Sequence, residues 1–285
     1  MDTYVQALIM GIVQGLTEFL PISSSGHLIV VPFMAGWDDP FITSLAFGVM
    51  LHVGTLLALL VYFRADWLRL VPAGLATVRD RSFRSDPDRR LAWLLVAATV
   101  PAAIAGFLLS DAIDELWSNA GADAHRDVPL VAVTLVIGGI VLWAADRFGP
   151  RTKGVRDVTF PVATAIGAAQ ALALIPGISR SGISIAAARV AGLDREASAR
   201  FAFLMATPIT AGAALFEARK LAAGETGVDV ALGPLVVGLL AAFVSGTLAI
   251  GFMLSYLRTR SLNIFVIYRF VVAAVVFVAW FARGG

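Results

Sequence analysis

Between Glu18 and His27, in the stretch QGLTEFLPISSSGHLIV (Gln14 to Val30), stand one carboxylate, three consecutive serines and one histidine inside an apolar surround. A carboxylate there can bind a divalent cation, act as a general base or pair with a cation. His27 follows Ser24 by three residues, so on a helix the two share a side. A Ser–His pair within reach of a carboxylate is the generic set for nucleophilic or acid–base work. A lone histidine on an apolar helix is more commonly a satisfied core residue, but Glu18 and the serines favour chemistry. A second stretch, PGISRSG (Pro176 to Gly182), places Arg180 between Ser179 and Ser181. Its planar fork suits bidentate binding of phosphate. The competing role for both charges is a Glu18–Arg180 salt bridge that only locks two segments together.

These groups are set in a chain of 285 residues that is 59% hydrophobic and 15% charged, with a mean hydropathy of +0.84. Soluble domains carry roughly 25% charged residues, and several apolar runs here approach the ~20 residues that cross a bilayer as a helix. The ~10-residue alternating segments of a membrane barrel do not occur. The fold class is therefore an all-α polytopic membrane protein. The net charge of +2 comes from arginines in short loops between apolar runs, the pattern of membrane orientation rather than of nucleic-acid binding. With no cysteine and only three histidines, thiolate chemistry is excluded and a dedicated zinc site is not expected. No removable signal peptide is expected either.

Apolar spans are expected at about 41–63, 91–110, 128–146, 201–217, 230–256 and 264–282. Two further apolar regions, 3–36 and 158–192, are broken near their middles by Pro, Gly and Ser. Residues 64–90 carry seven arginines and read as a cytoplasmic loop, as do 147–157 and 193–200. Residues 111–127, with five acids and one arginine, read as an outer loop. Region 158–192 then begins and ends on the same face, which makes it re-entrant.

QGLTEFLPISSSG (14–26) and QALALIPGISRSG (170–182) share Gln, Leu, Ile-Ser, Ser and Gly in register, with the proline slipped by one position. Three spans separate the copies, so the second enters from the opposite face. The architecture expected is an inverted-topology repeat, each half a broken re-entrant helix pair plus three transmembrane helices, with halves at about 1–150 and 151–285. Broken helices at membrane depth are tolerated only where the freed backbone is buried or lines a wet cavity. Their N-termini attract anions, and Ser-x-Ser-Gly after each break can cap the new helix or face the ligand. A phosphate fits best. Gln14, Ser23, Ser25, Gln170, Ser179, Ser181 and Ser184 are the candidate binding positions, and Glu18, Ser24, His27 and Arg180 the candidate catalytic ones.

Other polar residues point less sharply. His52 and Arg269, inside spans, either line the cavity or tie helices together. Arg189 is expected to snorkel or support packing, and His125 to be plain surface. VIGGIV and TPITAGAA read as close helix packing.

QGLTEFLPISSSGH and PGISRSG closely resemble the two signature regions of the bacterial undecaprenyl pyrophosphate phosphatase family, also known for bacitracin resistance. The likeness continues through HVGTLLALLVYFR, FAFLMATPITAGA and IYRFVVA. It implies an enzyme of the bacterial inner membrane that removes the terminal phosphate of undecaprenyl pyrophosphate, recycling the carrier lipid for peptidoglycan synthesis. It further implies a site open towards the periplasm and dependence on a divalent cation, Mg2+ or Ca2+. By position, Glu18, Ser24, His27 and Arg180 match residues regarded as essential in the family, and Ser179 and Ser181 flank Arg180 as they do there. Gln14 stands where the family has Glu or Gln, which leaves Glu18 the one acidic metal ligand in either motif. Ser184 replaces the frequent Thr and keeps its hydroxyl. The expected partners are a polyprenyl pyrophosphate lipid and the bilayer, with a homodimer as a further candidate and no nucleic acid. The nucleophile is open: Ser24 first, then His27, then water. The rival class is a phosphate-lipid transporter or flippase using the same anion site.

Overall fold

A computed structural model describes residues 1–80, 86–117, 124–223 and 229–284. Among these, every regular element is helical, apart from an isolated bridge between Lys153 and Leu193. Among the described residues, six helices are long and apolar enough to cross a membrane, with spans at Leu45–Tyr62, Pro87–Leu109, Asp127–Phe148, Arg195–Phe216, Leu232–Leu257 and Asn263–Ala282. Each matches one of the six apolar runs in the sequence.

Helix α1 (Thr3–Phe19) starts at Asp2, whose carboxylate accepts from the Tyr4 N–H. It stops because Leu20 precedes Pro21 and is pushed to an extended conformation (φ −72°, ψ 139°). Ser23 then turns the chain at φ 76°, and its Oγ accepts from the Gly26 N–H at 3.3 Å to open α2 (Ser24–Ala35). The second broken pair repeats this device. Following α3 (Leu45–Tyr62), α4 (Arg64–Asp80), α5 (Pro87–Trp117) and α6 (Ala124–Phe148), α7 (Phe160–Gln170) runs into a 3-10 turn at Ala171–Leu174. Ile175 is extended before Pro176, and Gly177 takes φ 89° in close contact with Thr134, where any side chain would collide. Ser179, at φ 78°, caps α8 (Arg180–Val190) through the Gly182 N–H. Helices α9 (Arg195–Ala222), α10 (Leu232–Leu257) and α11 (Asn263–Ala282) complete the chain.

Residues 64–90, read as a loop, instead contain α4. Its arginines hid an apolar stripe: Leu68, Val71, Leu75 and Val78 recur at helical spacing along one exposed side. Asp66 in its first turn accepts from Arg69 and from Arg200 of α9, which pins the helix to the body of the protein. Of 111–127, read as an outer loop, residues 111–117 belong to α5 and 124–127 to α6, and 118–123 lie outside the described residues. The His125 side chain lies outside the described residues. Residues 193–200 are largely the start of α9 rather than a loop.

Packing brings the breaks together. Helix α1 lies against α10 through Gly11 and Gly15, whose missing side chains let the Gly238 and Ala242 carbonyls approach. Helix α10 also packs on α3, α6 on α8 and α11, α7 on α5, and α8 on α9. Ser181 Oγ, in the first turn of α8, donates to the Leu20 carbonyl at 3.1 Å. The tips of the two broken pairs therefore touch directly.

Candidate active site

Glu18 occupies the last turn of α1, just before the proline that ends it. Arg180 is the first residue of α8 and crosses to it: Nη2 donates to Glu18 Oε1 at 2.7 Å. On the other oxygen, Oε2 accepts from Ser24 Oγ at 2.5 Å and from Gln14 Nε2 at 3.1 Å. His52 of α3 brings its Nε2 to 3.5 Å from the same atom, while its Nδ1 lies 3.0 Å from the Gly48 carbonyl. Arg180 is held from behind by Thr210 of α9, whose hydroxyl accepts from Nη1 at 2.8 Å. Five helices thus converge on one carboxylate–guanidinium pair. The cluster is sheltered but reachable: the side chains of Glu18, His52 and Arg180 are 6%, 19% and 21% exposed.

The two capping serines spend their hydroxyls on backbone. Ser23 also lies 3.3 Å from Ser25 Oγ, and Ser179 lies 3.2 Å from Ser181 Oγ, so the serine pairs of the two motifs are arranged alike. The starts of α2 and α8 are therefore ordered around Glu18 and Arg180, with the partial positive charge of each helix N-terminus on that side.

Of the sequence candidates, Glu18, Ser24, Gln14 and Arg180 form one hydrogen-bonded chain. His27 does not join it. Its Nδ1 lies 2.7 Å from the carbonyl of Ser23, one turn back, and its Nε2 lies 2.9 Å from Tyr268 Oη of α11. Sharing a side of the helix with Ser24 was not enough to pair them, because the Ser23 carbonyl and Tyr268 claim both ring nitrogens. Gln170 and Ser184 are buried and make no hydrogen bond to the cluster; their side-chain polar atoms, like Gln14 Oε1, have no protein partner.

Arg269 settles as a tie rather than a cavity lining. It is completely buried and donates to Leu135 O at 2.9 Å, Gly177 O at 2.7 Å, Ile178 O at 3.1 Å and Pro21 O at 3.3 Å. One guanidinium therefore satisfies carbonyls released at both breaks, which would otherwise cost about 1–3 kcal/mol each. Gly138 in VIGGIV makes room for it, in keeping with the packing expected there. TPITAGAA differs: Thr210 grips Arg180, and Gly212 faces open space. Arg189 does not snorkel. It is wholly buried, donating to Asp146 and to the carbonyls of Gly149, Pro150 and Leu193, while Arg195 completes the neutralisation of Asp146 at 2.7 and 2.8 Å. Thr210 and Tyr268 were not legible as partners. Each sits in an apolar run with no local pattern, although Tyr268 adjoins the conspicuous Arg269.

Among the described residues no three His, Cys, Asp or Glu side chains are grouped to hold a metal ion. The donors near Glu18 are that carboxylate, the buried Gln14 Oε1, which has no protein partner, and His52 Nε2.

The profile of the family described as bacitracin resistance protein BacA matches residues 7–275. An undecaprenyl-diphosphatase of Desulforudis audaxviator (strain MP104C) is 45% identical over 279 residues, 98% of each chain. One from Gemmatimonas aurantiaca is 42% identical over 281 residues, 99% of each chain. One from Moorella thermoacetica is 43% identical over 282 residues, covering 99% of this chain and 100% of the relative.

Proposed function

The chain belongs to the bacitracin resistance protein BacA family, and from that premise we propose how its site hydrolyses undecaprenyl pyrophosphate to undecaprenyl phosphate and inorganic phosphate. It is a multi-pass membrane enzyme of the undecaprenyl-diphosphatase kind. The observation that carries the mechanism is the continuous chain Ser24–Glu18–Arg180–Thr210, laid across two half-helix starts.

Phosphoryl transfer requires positioning and neutralisation of charge more than covalent machinery. Arg180 swings one N–H pair from Glu18 to the diphosphate while Thr210 keeps hold of the other side of its fork. The first-turn N–H groups of α2 and α8 donate to further phosphate oxygens. Glu18 Oε2 takes the Ser24 proton, Oγ bonds to the terminal phosphorus, the bond from that phosphorus to the bridging oxygen breaks, and Glu18 passes the proton on as undecaprenyl phosphate leaves. Water then attacks the phosphoserine and gives a proton to the freed Glu18 carboxylate, the bond from phosphorus to Oγ breaks, Glu18 returns that proton to Ser24 Oγ, and inorganic phosphate leaves. Direct attack by His27 or by water remains the ordered alternative, and the 2.5 Å Ser24–Glu18 contact ranks Ser24 first.

Residues of the site suit a divalent cation only as a minor share of its shell. Glu18 and Gln14 Oε1 would hold it, with diphosphate oxygens and water completing the coordination, as Mg2+ commonly accepts. When bound, the ion supplies further neutralisation of phosphate charge. The arginine-rich segments support a reading in which α4 and the α6–α7 connection lie at the cytoplasmic face of the bacterial inner membrane. The α1–α2 pair then enters from the periplasm and α7–α8 from the cytoplasm, as an inverted repeat would. Membership of the family favours a site open to the periplasm.

Purified protein in detergent tests the reading, because detergent abolishes vectorial transport but not hydrolysis. Wild type should release phosphate from undecaprenyl pyrophosphate and lose that activity with a chelator. Ser24→Ala should lose at least about 10³-fold in kcat, and rapid quench should trap phosphate on Ser24 in the wild type. Near-normal turnover by Ser24→Ala would remove the serine mechanism.

A further inference from the structure

The second polar pair near the breaks, His27 with Tyr268, takes no part in the Glu18 chain. A backbone carbonyl only accepts, so the 2.7 Å contact to Ser23 O puts the hydrogen of the neutral imidazole on Nδ1. Nε2 is then a bare lone pair, and Tyr268 Oη at 2.9 Å can only donate to it. The rings lie nearly parallel, 14° apart with centroids at 5.7 Å, so the phenol lies alongside the imidazole as well as bonding to it. His27 is 6% exposed and Tyr268 41%, and a group approaching Nε2 along that side meets the phenol first. The position of Tyr268 is not free to drift, because its neighbour Arg269 is tied to α6 and to both breaks.

We propose that Tyr268 is a positioning residue for His27: with the Ser23 carbonyl holding the Nδ1–H tautomer, its hydroxyl occupies Nε2 and makes imidazole and phenol act as one unit, separate from Glu18–Ser24. The catalytic part of the inference rests on the phosphatase reading; the structural part does not. Two consequences follow. His27 ranks behind Ser24 as the attacking group, since Tyr268 must first release its Nε2 lone pair. The partner of His27 in function is a residue 241 positions away, not the serine three positions away.

Tyr268→Phe keeps the ring and removes the hydroxyl. Diethylpyrocarbonate acylates unprotonated imidazole nitrogen, and its rate at the His27 peptide can be followed by mass spectrometry in detergent. Tyr268→Phe should react about five-fold faster at His27 than wild type, the worth of one neutral hydrogen bond. The same variant should lower kcat about ten-fold with little change in KM, and should add nothing in a His27→Ala background, because residues acting as a unit are not additive. An unchanged His27 labelling rate overturns the assignment, and so does a Tyr268→Phe effect that persists without His27. Should wild type release no phosphate while the labelling difference stands, the phosphatase reading fails and the positioning role survives.

Discussion

At the first break Ser23 sits at φ 76° and caps α2 through the Gly26 N–H; at the second Ser179 sits at φ 78° and caps α8 through Gly182. Both breaks follow an extended residue before a proline, and both pair the capping serine with the serine two positions on. The side chains around this shared backbone are not shared. Where Glu18, Ser24 and His27 stand in the first motif, Leu174, Arg180 and Ile183 stand in the second. The carboxylate and hydroxyl are on one side, the cation on the other, and the Arg180–Glu18 contact at 2.7 Å joins them. The capping geometry can be duplicated because it depends on φ and a serine. The chemistry cannot, because two copies of Glu18 or of Arg180 would repel one another in a poorly hydrated site. Neither broken pair would be a site alone.

The largest expected effect tests whether that contact is chemistry or only a lock. Arg180→Ala should lower phosphate release by about 10³-fold. The swapped double variant Glu18→Arg/Arg180→Glu should stay inactive while unfolding near the wild-type temperature in detergent. A lock would be restored by the swap, so recovered activity would break the division of labour drawn here.

Arg269 comes next, since it serves both breaks at once. Arg269→Leu leaves carbonyls at Pro21, Gly177 and Ile178 without their donor and should cost about 3 kcal/mol or more of stability, read as a lower unfolding midpoint in detergent. Arg269→Lys should fall between, because an ammonium lacks the fork that spans both breaks. A Leu variant as stable as wild type would show that the breaks are held some other way.

The smallest effect sharpens the likeness rather than the contrast. Ser23→Ala and Ser179→Ala should each cost about 1 kcal/mol, the usual worth of an N-cap. Glycine should be better tolerated than alanine at both positions, because φ near +77° is easy for glycine and strained for alanine. Matched thermal melts of the four variants would check it, and a preference for alanine at either site would mean the two caps are not equivalent.

Composition and motif together determined a good deal here. Six spans, two interrupted segments, the intramembrane Glu18 and Arg180, and the serine-rich starts after each proline all follow from local rules: hydropathy along the chain, the restriction before proline, the capping habit of serine. Even α4, whose arginines read as a loop, carries an apolar stripe at helical spacing, Leu68, Val71, Leu75 and Val78. Tertiary structure alone decided who meets whom. Ser24 turned to Glu18 and His27 to Tyr268 because side-chain direction answers to neighbours brought in by other helices, and a helical side shared by two residues says nothing of those neighbours. Thr210 behind Arg180 and the carbonyls gathered by Arg269 belong to the same class, since contacts between residues 30 to 248 positions apart are set by how α1, α8, α9 and α11 pack, and no local pattern encodes that.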